Sequence, residues 1–351
     1  MNLSELVAAA NEPFTSRYRN RLVNGEAGSE QEPRFELYHA APSLCSMKVR
    51  TVLAEKRLPY YSHDLNLMIR KAEAPECYRP GYVRLRLEGA PDAVLASGYT
   101  GQSSMTTEGF DPCVVPTLVD HETERVVVDS AKICAYIDEH SEGERLIPEA
   151  LSNEVGAQIA LVDQAPHVAV LYGAHPDGDV RPPALGRNIA GVHAKKIAAI
   201  EGLKAQASGD EKLTAAYDSK IAKEAGGADF MLDADRMREA HRAMDAHVAE
   251  LEDQLASHAG PWALGERFTM ADVMWTVSLF RMKWLGIGGA WEENASRRRV
   301  RGYVERAFER PSFRAGVFDW PGAYPPSPHV PEMSGLGATI RFVLEMFRRS
   351  R

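Results

Sequence analysis

The chain has 351 residues, 44% of them hydrophobic and 26% charged. These are ordinary values for a globular protein of two domains and foreign to a disordered, collagen-like or coiled-coil chain. Forty-one Lys and Arg stand against 49 Asp and Glu, a net charge of −8, which argues against a protein held on nucleic acid by a general excess of positive charge.

The first 33 residues read as an extension, polar around Asn24-Gly25-Glu26 and without a sustained apolar period. They carry no basic segment followed by an apolar stretch and cleavage site, and no run in the chain approaches the ~18 apolar residues a membrane span needs. The expected location is cytoplasmic. Four scattered cysteines, Cys45, Cys77, Cys113 and Cys134, make no disulfide scaffold and fit a reducing compartment.

Order begins at Phe35, where Phe35, Leu37 and His39 alternate with Glu36, Tyr38 and Ala40 as a short strand. Pro42 and Ser43 break it, MKVRTVLAEK (47–56) predicts a helix, and residues 60–65 a second strand. This β-α-β opening implies a parallel pair. Residues 66–113 form an insertion, with a helix-like fragment around Tyr82–Leu85 and a Gly, Ser and Thr-rich passage, YTGQSSMTTEGFDP; irregular segments of that length are usually functional or disordered. Residues 114–119 and 125–129 predict a hairpin, and SAKICAYIDE (130–139) a helix. The order is that of a thioredoxin-like domain over 34–142.

From 148 to 330 no strand is convincing, and an all-helical domain is expected. Met237, Ala240, Met244, Val248, Leu251 and Leu255 mark one face of a long helix, and Thr269-x-x-Asp272 reads as a capping box. The tail, 331–351, puts Ile340, Val343, Leu344 and Phe347 on one helical face with four arginines nearby. Docking on its own domain or on a second subunit is expected of it, with a membrane surface as the alternative.

Cys45 falls in the first helical turn or just before it, where unpaired N–H groups and the helix dipole favour a thiolate; Lys48 adds charge nearby. Lys48 also stands where a Cys-x-x-Cys motif would carry its second thiol, so a redox cycle at Cys45 needs an external thiol. The other three cysteines read as small buried hydrophobes. Val115-Pro116 begins a strand after a long loop; if cis, it turns the Val115 backbone toward Cys45, ready to pair with an extended peptide. Asp129-Ser130 opens another helix, either as an ordinary N-cap or as a carboxylate-binding site. Together the three form one peptide-thiol pocket. Gln102, Ser103 and Ser104 could line its entrance or belong to a solvated loop. His167 and Tyr172 face an aromatic substrate or, for the histidine, more commonly a satisfied core position. No His, Cys and carboxylate grouping has zinc spacing, and the His175-Pro-Asp-Gly-Asp179 run reads as a turn, so no metal is expected.

Ser43-Leu44-Cys45-Ser46, Val115-Pro116, Asp129-Ser130 and Thr269-x-x-Asp272, in this domain order, resemble the glutathione transferase superfamily over about residues 34–320. The Ser-x-Cys-Ser loop is similar to that of the zeta-type isomerases and, more closely, of the chlorinated-hydroquinone reductive dehalogenases. The strings SLCSMKVRTVLAEK, TGQSSMTTEGFDPCVVPTLVDHET, PHVAVLYGAHPDGD and PWALGERFTMADVMWTVSLFRMKWLG carry that resemblance, including the insertion. It implies glutathione as co-substrate, a small aromatic substrate, a homodimer, and reductive dehalogenation through a Cys45–glutathione mixed disulfide. On the same grounds Ser43 assists glutathione or the substrate hydroxyl, and Ser46 hydrogen-bonds a thiolate. Val115 and Pro116 hold the cysteinyl backbone, and Asp129 and Ser130 the γ-glutamyl end. Cleavage of other aryl ethers or thioethers, maleyl isomerisation, and a non-catalytic interaction protein are the alternatives.

Overall fold

The computed structural model describes all residues except 13–19, 26–31, 69–73, 103, 187, 323 and 349–351. The elements, in chain order, are α1 (Leu3–Asn11), β1 (Asn20–Val23), β2 (Phe35–His39), α2 (Leu44–Glu55), β3 (Tyr60–Asp64), α3 (Pro80–Glu88), α4 (Met105–Glu108), β4 (Thr117–Asp120), β5 (Arg125–Val128) and α5 (Ser130–Glu139). A helical series follows: α6 (Ser152–Asp163), α7 (His167–Tyr172), α8 (Ile189–Gln206), α9 (Glu211–Leu232), α10 (Ala234–Ala256), α11 (Met270–Trp284), α12 (Gly289–Glu292), α13 (Arg298–Phe308), α14 (Pro311–Phe313) and α15 (Gly335–Arg348).

The five strands lie in the order β1-β3-β2-β4-β5. Only β2 and β3 are parallel; β1 on β3, β2 on β4, and β4 on β5 are antiparallel. The β2-α2-β3 unit and the β4–β5 hairpin are those expected from the periodicity. Strand β2 is buried along its whole length, so its alternation separates two cores and not core from solvent. Phe35 and Leu37 join a core shared with α2, α5, α10 and α11, whereas Tyr38 joins another with Leu6, Tyr82, Val83, Leu213 and Tyr217.

Two sequence expectations change. The polar opening, read as an extension, contributes a helix and an edge strand. Helix α1 is capped reciprocally, Asn2 accepting from the Glu5 N–H and Glu5 from the Asn2 N–H, at 2.9 Å each. It lies close on α3, where a Cβ on Gly81 would run into the Ala9 carbonyl. Only Leu6 and Ala10 are buried in α1, too few to make a visible period. The insertion is likewise ordered where described: Arg86 of α3 donates to the carbonyls of Asp111, at 3.0 Å, and Pro116. Helices α8 and α9 pack on each other, and α9 reaches α3, sealing that second core.

Candidate functional site

Strand register gathers the site. Thr117 pairs with both Tyr38 and Val128, so the ends of β2 and β5 and the start of β4 lie at one edge of the sheet. The chain leaves β2 there toward Cys45, enters β4 through Val115-Pro116, and leaves β5 into Asp129-Ser130. The Val115–Pro116 peptide is cis.

Ser43 is the N-cap of α2, its Oγ accepting from the Ser46 N–H at 3.3 Å. That cap starts the helix three residues before the position the apolar period suggested, and it puts Cys45 in the first turn. Cys45 is half-buried; Cys77, Cys113 and Cys134 are buried thiols. Burial pushes Cys77 up to about 12 and holds Cys113 and Cys134 well above an ordinary thiol, which keeps all three protonated.

Ser46 is fully buried, and its oxygen accepts from the Ala40 N–H at 3.2 Å. This braces the turn before α2, and the bond uses the hydroxyl as an acceptor, leaving its hydrogen to donate. Asp129, at φ 76°, caps α5 by accepting from the N–H groups of Ala131 (3.0 Å) and Lys132 (3.2 Å). Ser130 beside it is buried. His167 lies in the core with its Nε2 paired to Ser278 Oγ at 2.8 Å, and burial holds its imidazole well below the usual range, neutral at pH 7. Tyr172 is half-buried, edge-on to His193, with the Lys196 ammonium 4.4 Å from its ring centre. Gln102 is half-buried in the insertion, Ser104 caps α4, and Ser103 lies outside the described residues.

Arg281, Arg86 and the counterion of Lys48 were not legible in sequence, although Lys48 itself was read as charge beside Cys45. Lys48 is buried one turn along α2 from Cys45, its Nζ 2.9 Å from Asp163 on α6. Burial opposes its charge, but Asp163 and the Cys45 sulfur hold the ammonium above its usual range. Arg281 of α11 is buried and donates to the Pro42 carbonyl at 2.5 Å. Arg86 fixes the Pro116 carbonyl and donates to Thr117 Oγ1 at 3.0 Å. An arginine or lysine inside an otherwise apolar helical run is the signal each leaves. Among the described residues no three His, Cys, Asp or Glu side chains come together as a metal site.

Family models for the glutathione S-transferase N-terminal and C-terminal domains match residues 42–140 and 234–306. Over 302 residues the chain is 46% identical to the 2,5-dichlorohydroquinone reductive dechlorinase of Sphingobium indicum, covering 85% of this chain and 86% of that one. The chain belongs to the glutathione S-transferase family. This transferase is also 26% identical over 296 residues to the tetrachloro-p-hydroquinone reductive dehalogenase of Sphingobium chlorophenolicum, covering 83% of it and 99% of the relative. A solved β-etherase LigF from Sphingobium shares the fold at 15% identity and a TM-score of 0.51, over 81% of this chain and 98% of that one. A thioredoxin-like sheet domain followed by a helical domain is the architecture that the sequence of this transferase predicts.

Proposed function

We propose that the protein is a glutathione-dependent reductive dehalogenase of chlorinated hydroquinones. The observation that carries the reading is Cys45: a half-buried thiol in the first turn of a helix, beside a buried lysine, with no second cysteine in the turn that follows. A monothiol of this kind needs an external thiol to complete a redox cycle. The relative at 46% identity is named for a reaction of that demand.

In the first step a glutathione thiolate adds to the ring in its keto form and chloride leaves, giving an aryl thioether. Cys45 then attacks the thioether sulfur. The carbon–sulfur pair returns to the ring, which takes up a proton, and a Cys45–glutathione disulfide forms. A second glutathione thiolate displaces Cys45 from it. The net balance is one aryl chloride and two glutathiones giving the reduced arene, oxidised glutathione and hydrogen chloride. The helix dipole and Lys48 favour the Cys45 thiolate at both of its turns as nucleophile and leaving group.

Val115 pairs in this reading with the cysteinyl backbone of glutathione, and Asp129 and Ser130 receive its γ-glutamyl end. Ser43 can donate its hydroxyl hydrogen while accepting the cap bond. The site works between the sheet domain, 34–142, and the helical domain, 148–330, in a homodimer, in a reducing cytoplasm suited to four free thiols.

The test is product analysis with glutathione and 2,5-dichlorohydroquinone, wild type beside Cys45→Ser. Chloride, dechlorinated hydroquinone and oxidised glutathione are expected from the wild type, and an accumulating glutathionyl adduct from the variant. Glutathione binding with no chloride released would refute the assignment and favour ether cleavage or isomerisation.

A further inference from the structure

Buried cations elsewhere in the molecule are well supplied with partners. Lys48 meets Asp163 at 2.9 Å, and Lys220 meets Asp111 at 2.9 Å and Glu224 at 3.0 Å. Arg50 and Arg86 instead spend their Nε and Nη groups on three or more acceptors each. Arg281 of α11, only 3% exposed, does neither. Its Nη2 donates to the Pro42 carbonyl at 2.5 Å, its Cζ lies 5.2 Å from the centre of the Trp284 ring, and Tyr324 stands beside it. Its Nε is sealed from water without an acceptor, and among the described residues no carboxylate pairs with it.

A buried charge without a counterion is costly to fold around, and costs of that kind collect at functional sites. The place of this one is specific. Pro42 precedes Ser43, the cap of α2, and Cys45 follows two residues later in the first turn of that helix. A guanidinium from the helical domain thus holds the turn that presents the thiol. Lys48 comes to the same helix end with its own carboxylate, whereas Arg281 comes with none, so the net positive charge there is that of the arginine. The anion this site can make is the Cys45 thiolate. Once it forms, the guanidinium has a negative charge close by and its burial costs less.

We propose that Arg281 is a positioning residue for Cys45. Its bond to the Pro42 carbonyl fixes the strand-to-helix turn against the helical domain, and its unneutralised charge favours thiolate over thiol. The proposal rests on Cys45 being the reactive thiol. Lys48, Asp163 and Asp129 carry the other charges around Cys45 and Cys134. Burial keeps Cys134 protonated and His167 neutral, so the alkylation profile in the range where a thiol titrates follows Cys45 itself.

The test is the pH dependence of Cys45 carbamidomethylation by iodoacetamide, an uncharged reagent, read by peptide mapping in the full chain, wild type beside Arg281→Met and Arg281→Lys. The wild-type midpoint is expected below the free-thiol value of about 8.5 and should rise by about one pH unit in Arg281→Met. Arg281→Lys keeps a cation and a donor for one carbonyl, and should recover about half of that shift or more. Arg281→Met should still melt cooperatively, since it loses one hydrogen bond but no longer buries an unpaired charge. An unchanged midpoint in Arg281→Met, or a lysine variant displaced as far as the methionine one, would overturn the proposal. So would loss of the cooperative melt in Arg281→Met, which would make the arginine a purely structural anchor. A wild-type midpoint at the free-thiol value would instead remove the reactive thiol on which the proposal rests.

Discussion

Cys45 and Lys48 are three residues apart on α2 and so share a face, yet the lysine's counterion, Asp163, comes from α6 in the other domain. The pair therefore sets the charge beside the thiol from across the domain boundary. Replacing Lys48 by Met removes a buried cation beside the thiol and should slow carbamidomethylation of Cys45 at pH 7 by about five- to tenfold. Asp163→Asn leaves that cation without its carboxylate and should not slow the reaction. Peptide mapping after brief native iodoacetamide treatment checks both, and should find label on Cys45 alone, with Cys77, Cys113 and Cys134 modified only after unfolding. Equal rates in wild type and Lys48→Met would remove the lysine from the site. The thiol itself was legible because Pro42-Ser43 marks a strand-to-helix junction within seven residues of a clear strand. Asp163 was not, since nothing local to residues 152–163 announces a partner more than a hundred positions earlier.

Among the elements, the one most at odds with its sequence is the opening segment, and Glu36 explains how it is held. This buried carboxylate accepts from Asn11 Nδ2 (2.8 Å) on α1 and Tyr38 Oη (3.1 Å), and is paired with His63 Nε2 (2.5 Å) on β3 and His121 Nε2 (2.8 Å) after β4. Burial opposes its charge, but the hydrogen bonds from His121, His63 and Asn11 hold it well below the usual carboxylate range. A folded value below the unfolded one contributes stability that is present above about pH 4.5 and lost as pH falls through the folded value. For His121 the sign is opposite. The bond to Glu36 raises it above 6.5 against the pull of burial, so its contribution is complete below pH 6.5 and lost as pH rises through the folded value. With His121 43% exposed, solvent screening limits that contribution to below about 1 kcal/mol. Urea midpoints should thus decline modestly above pH 6.5 in the wild type and lose that slope in His121→Ala. Glu36→Gln should cost more at neutral pH, about 2–4 kcal/mol, because it leaves buried donors without their carboxylate. A strand of five residues that alternates Phe, Glu, Leu, Tyr, His reads as one-sided; only the folded molecule reveals that its polar member is the hub of a second core.

For the molecule as a whole, the deciding feature is that the two domains share one core. Leu37, Val49 and Ile133 of the sheet domain and Val248, Met274 and Trp275 of the helical domain belong to one continuous buried cluster. Charged anchors cross the same boundary. Arg50, fully buried on α2, donates to the Gly316 carbonyl at 2.7 Å and, within its own domain, to Ala40 at 3.1 Å and Ala41 at 3.0 Å. The backbone approaches closely there, since a Cβ on Gly316 would lie 2.9 Å from the Thr51 nitrogen. Arg310 and Glu55 join the domains again, at 2.9 and 2.5 Å. Composition and periodicity assigned the two halves different architectures correctly, but domain boundaries read from strand and helix content carry no information about whether the halves melt separately. The shared cluster predicts that they do not: calorimetry should show one transition with calorimetric and van't Hoff enthalpies in agreement. Arg50→Met removes a charged donor from three buried carbonyls, of which that of Ala40 keeps the Ser43 N–H at 3.1 Å, a loss of about 3 kcal/mol, and should lower the midpoint by roughly 5–10 °C while keeping the transition single. Two resolved transitions in the wild type would mean that the interface is weaker than its buried contacts imply. Two transitions in Arg50→Met alone would instead assign the coupling to this one side chain and not to the apolar cluster around it.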